Sequence, residues 1–188
     1  AIEGVILSNE FLDAFPVHWL EMTEIGLQEI AVIATKEDFS TALIAIDAPL
    51  DPDYFATLGI EIPVGRRAEI GLAAAAWMRE AGQLLQQGVI LSIDYGAPQA
   101  EYYGPAYPQG TLTGYYQHKQ ISNPLLYPGE MDITAHVDFS ALARAGEQSG
   151  LATLGYTTQA WFLMGLGILQ RLERLAKSQD RTAYERVQ

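Results

Sequence analysis

Gly4-Val5-Ile6-Leu7-Ser8 and Gly88-Val89-Ile90-Leu91-Ser92 are the same pentapeptide, and each copy runs into polar or acidic residues: Asn9-Glu10 after the first, Asp94 after the second. Aliphatic runs of this kind, without polar alternation, suit strands covered on both faces, as in a parallel sheet with helices above and below. The stretch before the second copy supplies such a helix. Over 66–87, apolar residues fall at Ile70, Ala73, Ala74, Trp77, Met78, Ala81, Leu84 and Leu85, the spacing of one helical face. Gly88 then stands where a helix C-cap glycine is expected. A helix leading through one glycine into a buried strand is half of a βαβ unit.

Outward from this pair, residues 17–62 read as an antiparallel segment inserted into the sheet. Three β-rich runs, 17–23, 27–35 and 39–46, are separated by Gly26 and by Lys36-Glu37-Asp38. Downstream, 95–129 is a long segment rich in Tyr, Gly and Pro that holds Tyr102, Tyr103, Tyr107, Tyr115, Tyr116 and Tyr127. Ordered loops of that length are usually functional. Residues 132–139 alternate strictly, with Asp132, Thr134, His136 and Asp138 on one side, which predicts a strand with one wet face. A helix over 140–149, a strand over 151–158 and an amphipathic helix over 159–177 complete the pattern. The fold class is α/β, with 188 residues in a single domain.

The composition, 49% hydrophobic and 18% charged, is that of a folded globular chain. Acids outnumber bases 23 to 11, and the net charge of -12 argues against a nucleic-acid partner, whose phosphates draw on clustered Lys and Arg. An acidic surface suits a basic substrate. No run reaches the ~18 apolar residues needed to span a bilayer. The chain has no cysteine and therefore no disulfide framework and no thiolate nucleophile.

In open α/β sheets, ligands bind beyond the carboxyl ends of the strands. Both pentapeptide strands deliver polar groups there: Asn9, Glu10 and Asp13 from the first, Asp94 and Tyr95 from the second. These five are expected to line one cleft. The competing reading has Asn9 and Asp13 cap the following turn, with the others as solvated loop residues. Glu101, His118, His136 and Asp138 are further candidates for shaping the pocket. No metal is expected, because His118, His136 and Asp138 lack the paired-His helical spacing of a metal motif.

The string Ser8-Asn9-Glu10-Phe11-Leu12-Asp13-Ala14-Phe15-Pro16-Val17-His18 is similar to the Asn-Glu-x-Leu-Asp-Ala-x-Pro signature of MidA-type methyltransferases. Asp94-Tyr95-Gly96 with Glu101-Tyr102-Tyr103 resembles the family's Asp-Tyr-Gly segment. Gly110-Thr111-Leu112, His118, Pro128-Gly129, the block Asp132 to Phe139, Thr158-Gln159, Phe162-Leu163 and Gly167-Ile168 resemble its later blocks, in order. The resemblance implies a class I, Rossmann-like methyltransferase fold, mostly a parallel sheet, with S-adenosylmethionine as cofactor. It also implies a protein substrate with an accessible arginine. The family's eukaryotic members dimethylate an arginine of respiratory complex I symmetrically, in mitochondria, during assembly. The expected place is therefore the cytoplasm of a bacterium, or the mitochondrial matrix in a eukaryote. A homodimer is compatible with the sequence.

A guanidinium, with a pKa above ~12, is a poor nucleophile while protonated. Paired carboxylates grip its two edges and orient the reacting nitrogen, the role expected of Glu10 and Asp13 with Asn9. Asp94, Tyr95, Glu101, His118, His136 and Asp138 are expected to bind substrate, and Ser8 and Asn9 to touch the cofactor. The family's glycine-rich turn has no counterpart in these residues and is expected upstream of Ala1, so the cofactor site in this chain is expected to be incomplete. Calorimetry should accordingly show weak or no binding of S-adenosylmethionine by residues 1–188 alone, and micromolar affinity would refute this. The alternative reading is a non-catalytic binding or assembly factor that keeps the methyltransferase shape.

Overall fold

The computed structural model describes residues 1–36 and 38–177. The chain divides into two compact units, Ala1–Thr153 and Leu154–Gln188.

The first unit opens with β1 (Ile2–Asn9). An antiparallel meander follows, made of β2 (His18–Thr23), β3 (Gly26–Ala34) and β4 (Phe39–Ala45), close to the predicted runs. A short helix α1 (Tyr54–Thr57) leads to β5 (Arg67–Ile70), which pairs antiparallel with β2 and makes a sheet of order β4-β3-β2-β5. This strand corrects the predicted helix over 66–87. Arg67 to Ile70 alternates polar and apolar residues, Ala68 and Ile70 are buried with Leu20 and Phe55, Glu69 is buried as well, and Gly71 separates the strand from the helix. The helix proper is α2 (Leu72–Leu84), with Ala74, Met78 and Ala81 buried.

Next comes β6 (Leu85–Ile93), which lies parallel to β1. The two pentapeptides sit side by side in register, Gly4 opposite Gly88 through Ser8 opposite Ser92, and the Ser8 hydroxyl donates to that of Ser92 at 3.1 Å. Gly88 is therefore not a helix cap. It lies inside the strand at φ +146°, where a Cβ would stand 1.7 Å from the Gly4 carbonyl oxygen. The pair is covered on one face only: Ile6 is half-buried and Ser8 buried, whereas Val5 and Leu7 are each 64% exposed.

The tyrosine-rich segment is more regular than its composition predicts. It forms β7 (Gly96–Ala97), α3 (Gln99–Tyr102), and a hairpin of β8 (Thr113–Tyr116) and β9 (Lys119–Ile121). Gln117 and His118, at φ 49° and 63°, make its two-residue tip, the geometry that matches strand twist. The alternating run over 132–139 is broken into β10 (Asp132–Thr134) and β11 (Val137–Asp138), because its amides change partners. The Ala135 amide donates to the Asp13 carbonyl at 3.0 Å and that of Val137 to the Tyr95 carbonyl at 2.8 Å. β10 pairs with β8, and β11 runs parallel to β7. Asp138 then caps α4 (Phe139–Gln148) by accepting from the Ala141 amide at 3.0 Å, and α2 and α4 lie against each other.

The fold is thus α/β, but not the mostly parallel sheet expected. Among the described residues, the two parallel ladders have two strands each, and the larger sheets, of four and three strands, are antiparallel. Residues 151–158 form no strand. In the second unit the predicted helix is split into α5 (Gln159–Gly165) and α6 (Ile168–Lys177), with Gly167 at φ +79° between them. Among the described residues, no helix is long and apolar enough to cross a membrane.

Candidate active site

The turn after β1 divides its side chains between two sides, Phe11, Leu12 and Phe15 on the helix and Glu10 and Asp13 on the cleft. Leu12 is buried with Ala74, Met78 and Leu142. Phe11 and Phe15 meet Trp77 of α2 edge-on, at centroid distances of 5.4 and 6.5 Å. With those side chains committed to the helix, Glu10 and Asp13 are left to face a cleft of about 1230 Å³. The Glu10 amide donates to the Ile93 carbonyl at 2.9 Å, extending the parallel ladder one step. Its φ of 46° lies in the left-handed region, which non-glycine residues occupy at a cost and often at functional sites.

Glu10, Asp13, Tyr95, His118 and His136 line this cleft together. The tips of β1 and β6 therefore reach one hollow through Glu10, Asp13 and Tyr95, whereas the other candidates at these tips do not enter it. Asn9 is exposed outside the lining, and the Ser8 hydroxyl is engaged with Ser92. Glu101 is exposed on α3. Asp138 caps α4, approaches Arg144 at 3.9 Å and lines a separate cavity of about 40 Å³. Asp94 turns toward backbone: one carboxylate oxygen accepts from the Phe11 and Leu12 amides at 3.1 and 2.9 Å, and the other from the Tyr95 amide at 2.9 Å. Tyr115 of the tyrosine-rich segment lines the cleft as well, and so do Trp19, Arg67, Thr111, Glu130 and Asp132, none of which was a candidate site residue. For Asp132 a signal was available, since it begins the wet face of an alternating run that ends beside the turn.

The cleft is electrically lopsided. Asp13 is only 8% exposed, and burial, then the charges of Asp94, Glu10 and Asp132, push its carboxyl pKa up against the lowering effect of the Ala14 amide. The Tyr95 hydroxyl is pushed up mainly by the facing Glu10 charge. Arg67 is held by Glu21 at 2.8 Å and stacks over Trp19 at 5.3 Å. Burial lowers the His136 pKa; its Nδ1 is buried with no partner, and its ring meets Tyr107 at 5.3 Å. The ion pairs found among the described residues are His18–Glu29, Arg67–Glu21 and Arg144–Asp138, and none reaches Glu10, Asp13 or Asp132. Burial works against a charge on His136, and the carboxylates Glu10, Asp13 and Asp132 have no ion-pair partner among the described residues, so the hollow favours a cation.

One wall is fixed by a buried carboxylate. Glu69 of β5, 1% exposed, accepts from the Thr111 amide at 2.8 Å, the Thr111 hydroxyl at 3.0 Å and the Leu112 amide at 3.2 Å. The same hydroxyl accepts from the His136 amide at 3.0 Å. Burial raises the Glu69 pKa, and these donors oppose the rise. Among the described residues, no three His, Asp or Glu side chains cluster as metal ligands would.

Residues 1–157 match the family described as "Putative S-adenosyl-L-methionine-dependent methyltransferase". The mitochondrial protein arginine methyltransferase NDUFAF7 of Danio rerio is 31% identical over 94% of this chain and 40% of its own length. That of Mus musculus is 33% identical over 92% and 37%. This chain thus spans about two-fifths of the curated relatives it matches. A Burkholderia thailandensis crystal structure bound to S-adenosyl-homocysteine superposes with a TM-score of 0.85 at 38% identity, covering 92% of this chain and 44% of that one. A native crystal structure from the same organism gives 0.88 at 37%, covering 97% and 48%. With a family match across most of its length and a cleft at the tips of two parallel strands, the chain belongs to the MidA-type family of S-adenosylmethionine-dependent methyltransferases.

Proposed function

We propose that this chain forms the acceptor side of a protein arginine methyltransferase, with Glu10 and Asp13 clasping the substrate guanidinium. The observation that carries the reading is the buried Asp13 carboxyl, set in a hollow with Glu10 and Asp132 and, among the described residues, with no cationic side chain paired to it. An unpaired buried carboxylate is costly, and a planar cation with several donors relieves that cost. The named activity of the mitochondrial relatives supports the same choice of substrate.

Bound S-adenosylmethionine supplies a methyl group on a positively charged sulfur. The chain's own residues align and deprotonate the acceptor. Glu10 holds one edge of the guanidinium and, with Tyr95, aims its nitrogen along the line of attack. As the new C–N bond forms and the methyl–sulfur bond breaks, leaving a neutral thioether, the acceptor nitrogen sheds a proton, and Asp13, whose carboxyl is pushed up by burial and by its acidic neighbours, is the residue that takes it. The residues present fit the cofactor in part: Asn9, exposed at the end of β1, suits its amino-acid portion, whereas the Ser8 hydroxyl is already engaged. The full-length protein, given methyl-labelled cofactor and a basic protein, is expected to place the label in methylarginine. Label found only in methyllysine or in small molecules would sink the reading.

A further inference from the structure

We propose that Asp94 is the positioning residue of this site: it does not touch the acceptor but clamps the turn that carries Glu10 and Asp13. The inference rests on the arginine reading above, since it concerns the same two carboxylates.

The clamp is visible in the hydrogen bonds. The amides of Phe11 and Leu12 lie between Glu10 and Asp13 in the chain, and both converge on one Asp94 oxygen, at 3.1 and 2.9 Å. The other oxygen accepts from the Tyr95 amide at 2.9 Å, so the same side chain also orders the start of the Tyr95 segment. Asp94 stands immediately after β6, and the Glu10 amide is bonded to the Ile93 carbonyl at 2.9 Å. The tips of β1 and β6 are therefore tied twice, once through the ladder and once through the carboxylate. Asp94 is absent from the lining of the large cleft, and its two oxygens are occupied by backbone donors, so it is not a further acceptor-binding acid.

The strained conformation of Glu10 gives the clamp a purpose. A non-glycine residue at φ 46° persists only where the surroundings hold it there. On one side Phe11 and Phe15 are held by Trp77, and on the other Asp94 grips the amides. Asp94 also faces Asp13 as a like charge, together with Glu10 and Asp132, while the Ala14 amide acts in the opposite sense.

The test uses the full-length protein and three variants, D94N, D94A and E10Q, with thermal melting and cofactor calorimetry as controls for folding. In D94N the side-chain oxygen still accepts from Phe11 and Leu12, the bond from Tyr95 is lost and one negative charge beside Asp13 disappears. Turnover is expected to stay within about threefold. Because Asp94 helps hold the Asp13 pKa up, removing its charge lets that pKa fall, and the acid limb of the pH–rate profile should move to lower pH. D94A offers no acceptor, the turn loosens, and kcat should fall by about 100-fold, with cofactor affinity unchanged. An unmoved acid limb in D94N, or D94A turnover within about threefold of the parent, overturns the clamp. Should D94A fail to fold, D94S, whose single hydroxyl is too short to span both amides, takes its place, with the same expected loss and the same overturning result. Loss of activity in E10Q with neither Asp94 effect leaves the arginine reading standing and removes only this inference; full activity in E10Q removes the reading itself.

Discussion

Replacing Glu10 by Gln in the full-length protein is expected to lower kcat for protein methylation by about 100- to 1000-fold, the range seen when one preorganised electrostatic group is removed from an active site. Gln keeps the length and shape of Glu and leaves the hydrogen bond from the Glu10 amide to Ile93 in place, so the melting temperature should hardly move. Only the charge facing Tyr95 and the cleft is lost. A second substitution separates chemistry from strain. Glu10→Gly relieves a left-handed backbone and is expected to stabilise the fold by about 1 kcal/mol while turnover is abolished. Steady-state kinetics and a melting curve on both variants check the pair. Near-normal turnover in Glu10→Gln would take this residue out of the mechanism.

Gly88→Ala is expected to be among the most damaging methyl additions in the chain. Its Cβ would lie 1.7 Å from the Gly4 oxygen and 2.8 Å from the Gly4 carbonyl carbon, and both obstacles are backbone of the neighbouring parallel strand. Neither side can yield without breaking the ladder that aligns the strand tips, and φ +146° is unfavourable for alanine in any case. A cost of about 4 kcal/mol or more falls in the exceptional class for single substitutions, and at roughly 2–4 °C per kcal/mol in a chain of this size it lowers the melting temperature by about 10 °C. Gly4→Ala is the control. It has a similar φ, 144°, but nothing lies within 4 Å of the added carbon, so its loss should be clearly smaller. Equal melting temperatures for the two variants would contradict the close approach.

The register of the pentapeptides shows how far the sequence could be read. Two identical aliphatic runs, one preceded by a helix, predict neighbouring parallel strands, and Val5 to Ser8 opposite Val89 to Ser92 realise this residue by residue. The meander was legible for the same reason, since its glycine and charged turns separate β-branched runs. Arg67 to Ile70 was not legible, because four residues of alternation next to a long helical pattern vanish into it. Nor was Glu69, whose surroundings come from Thr111 and Leu112, more than forty residues away. Sequence placed Asp94 at a strand tip. It could not distinguish a carboxylate aimed at a ligand from one aimed at two amides, since this depends on how the Phe11–Leu12 turn folds back. Asp138 went the same way, because an aspartate before a helix serves the helix first.

The outer strand of the meander, Phe39 to Ala45, bears on how the protein behaves as a solute. It forms one margin of its sheet, has no proline and no charged residue of the kind that usually blunts such margins, and leaves Phe39, Leu43 and Ile44 more than 40% exposed. What separates two copies is the net charge of -12. That repulsion reaches about 30 Å at 0.01 M salt and about 8 Å at 0.15 M. Concentrated, salty solutions therefore bring bare margins within reach of one another, and dilute, low-salt buffers keep the molecules dispersed.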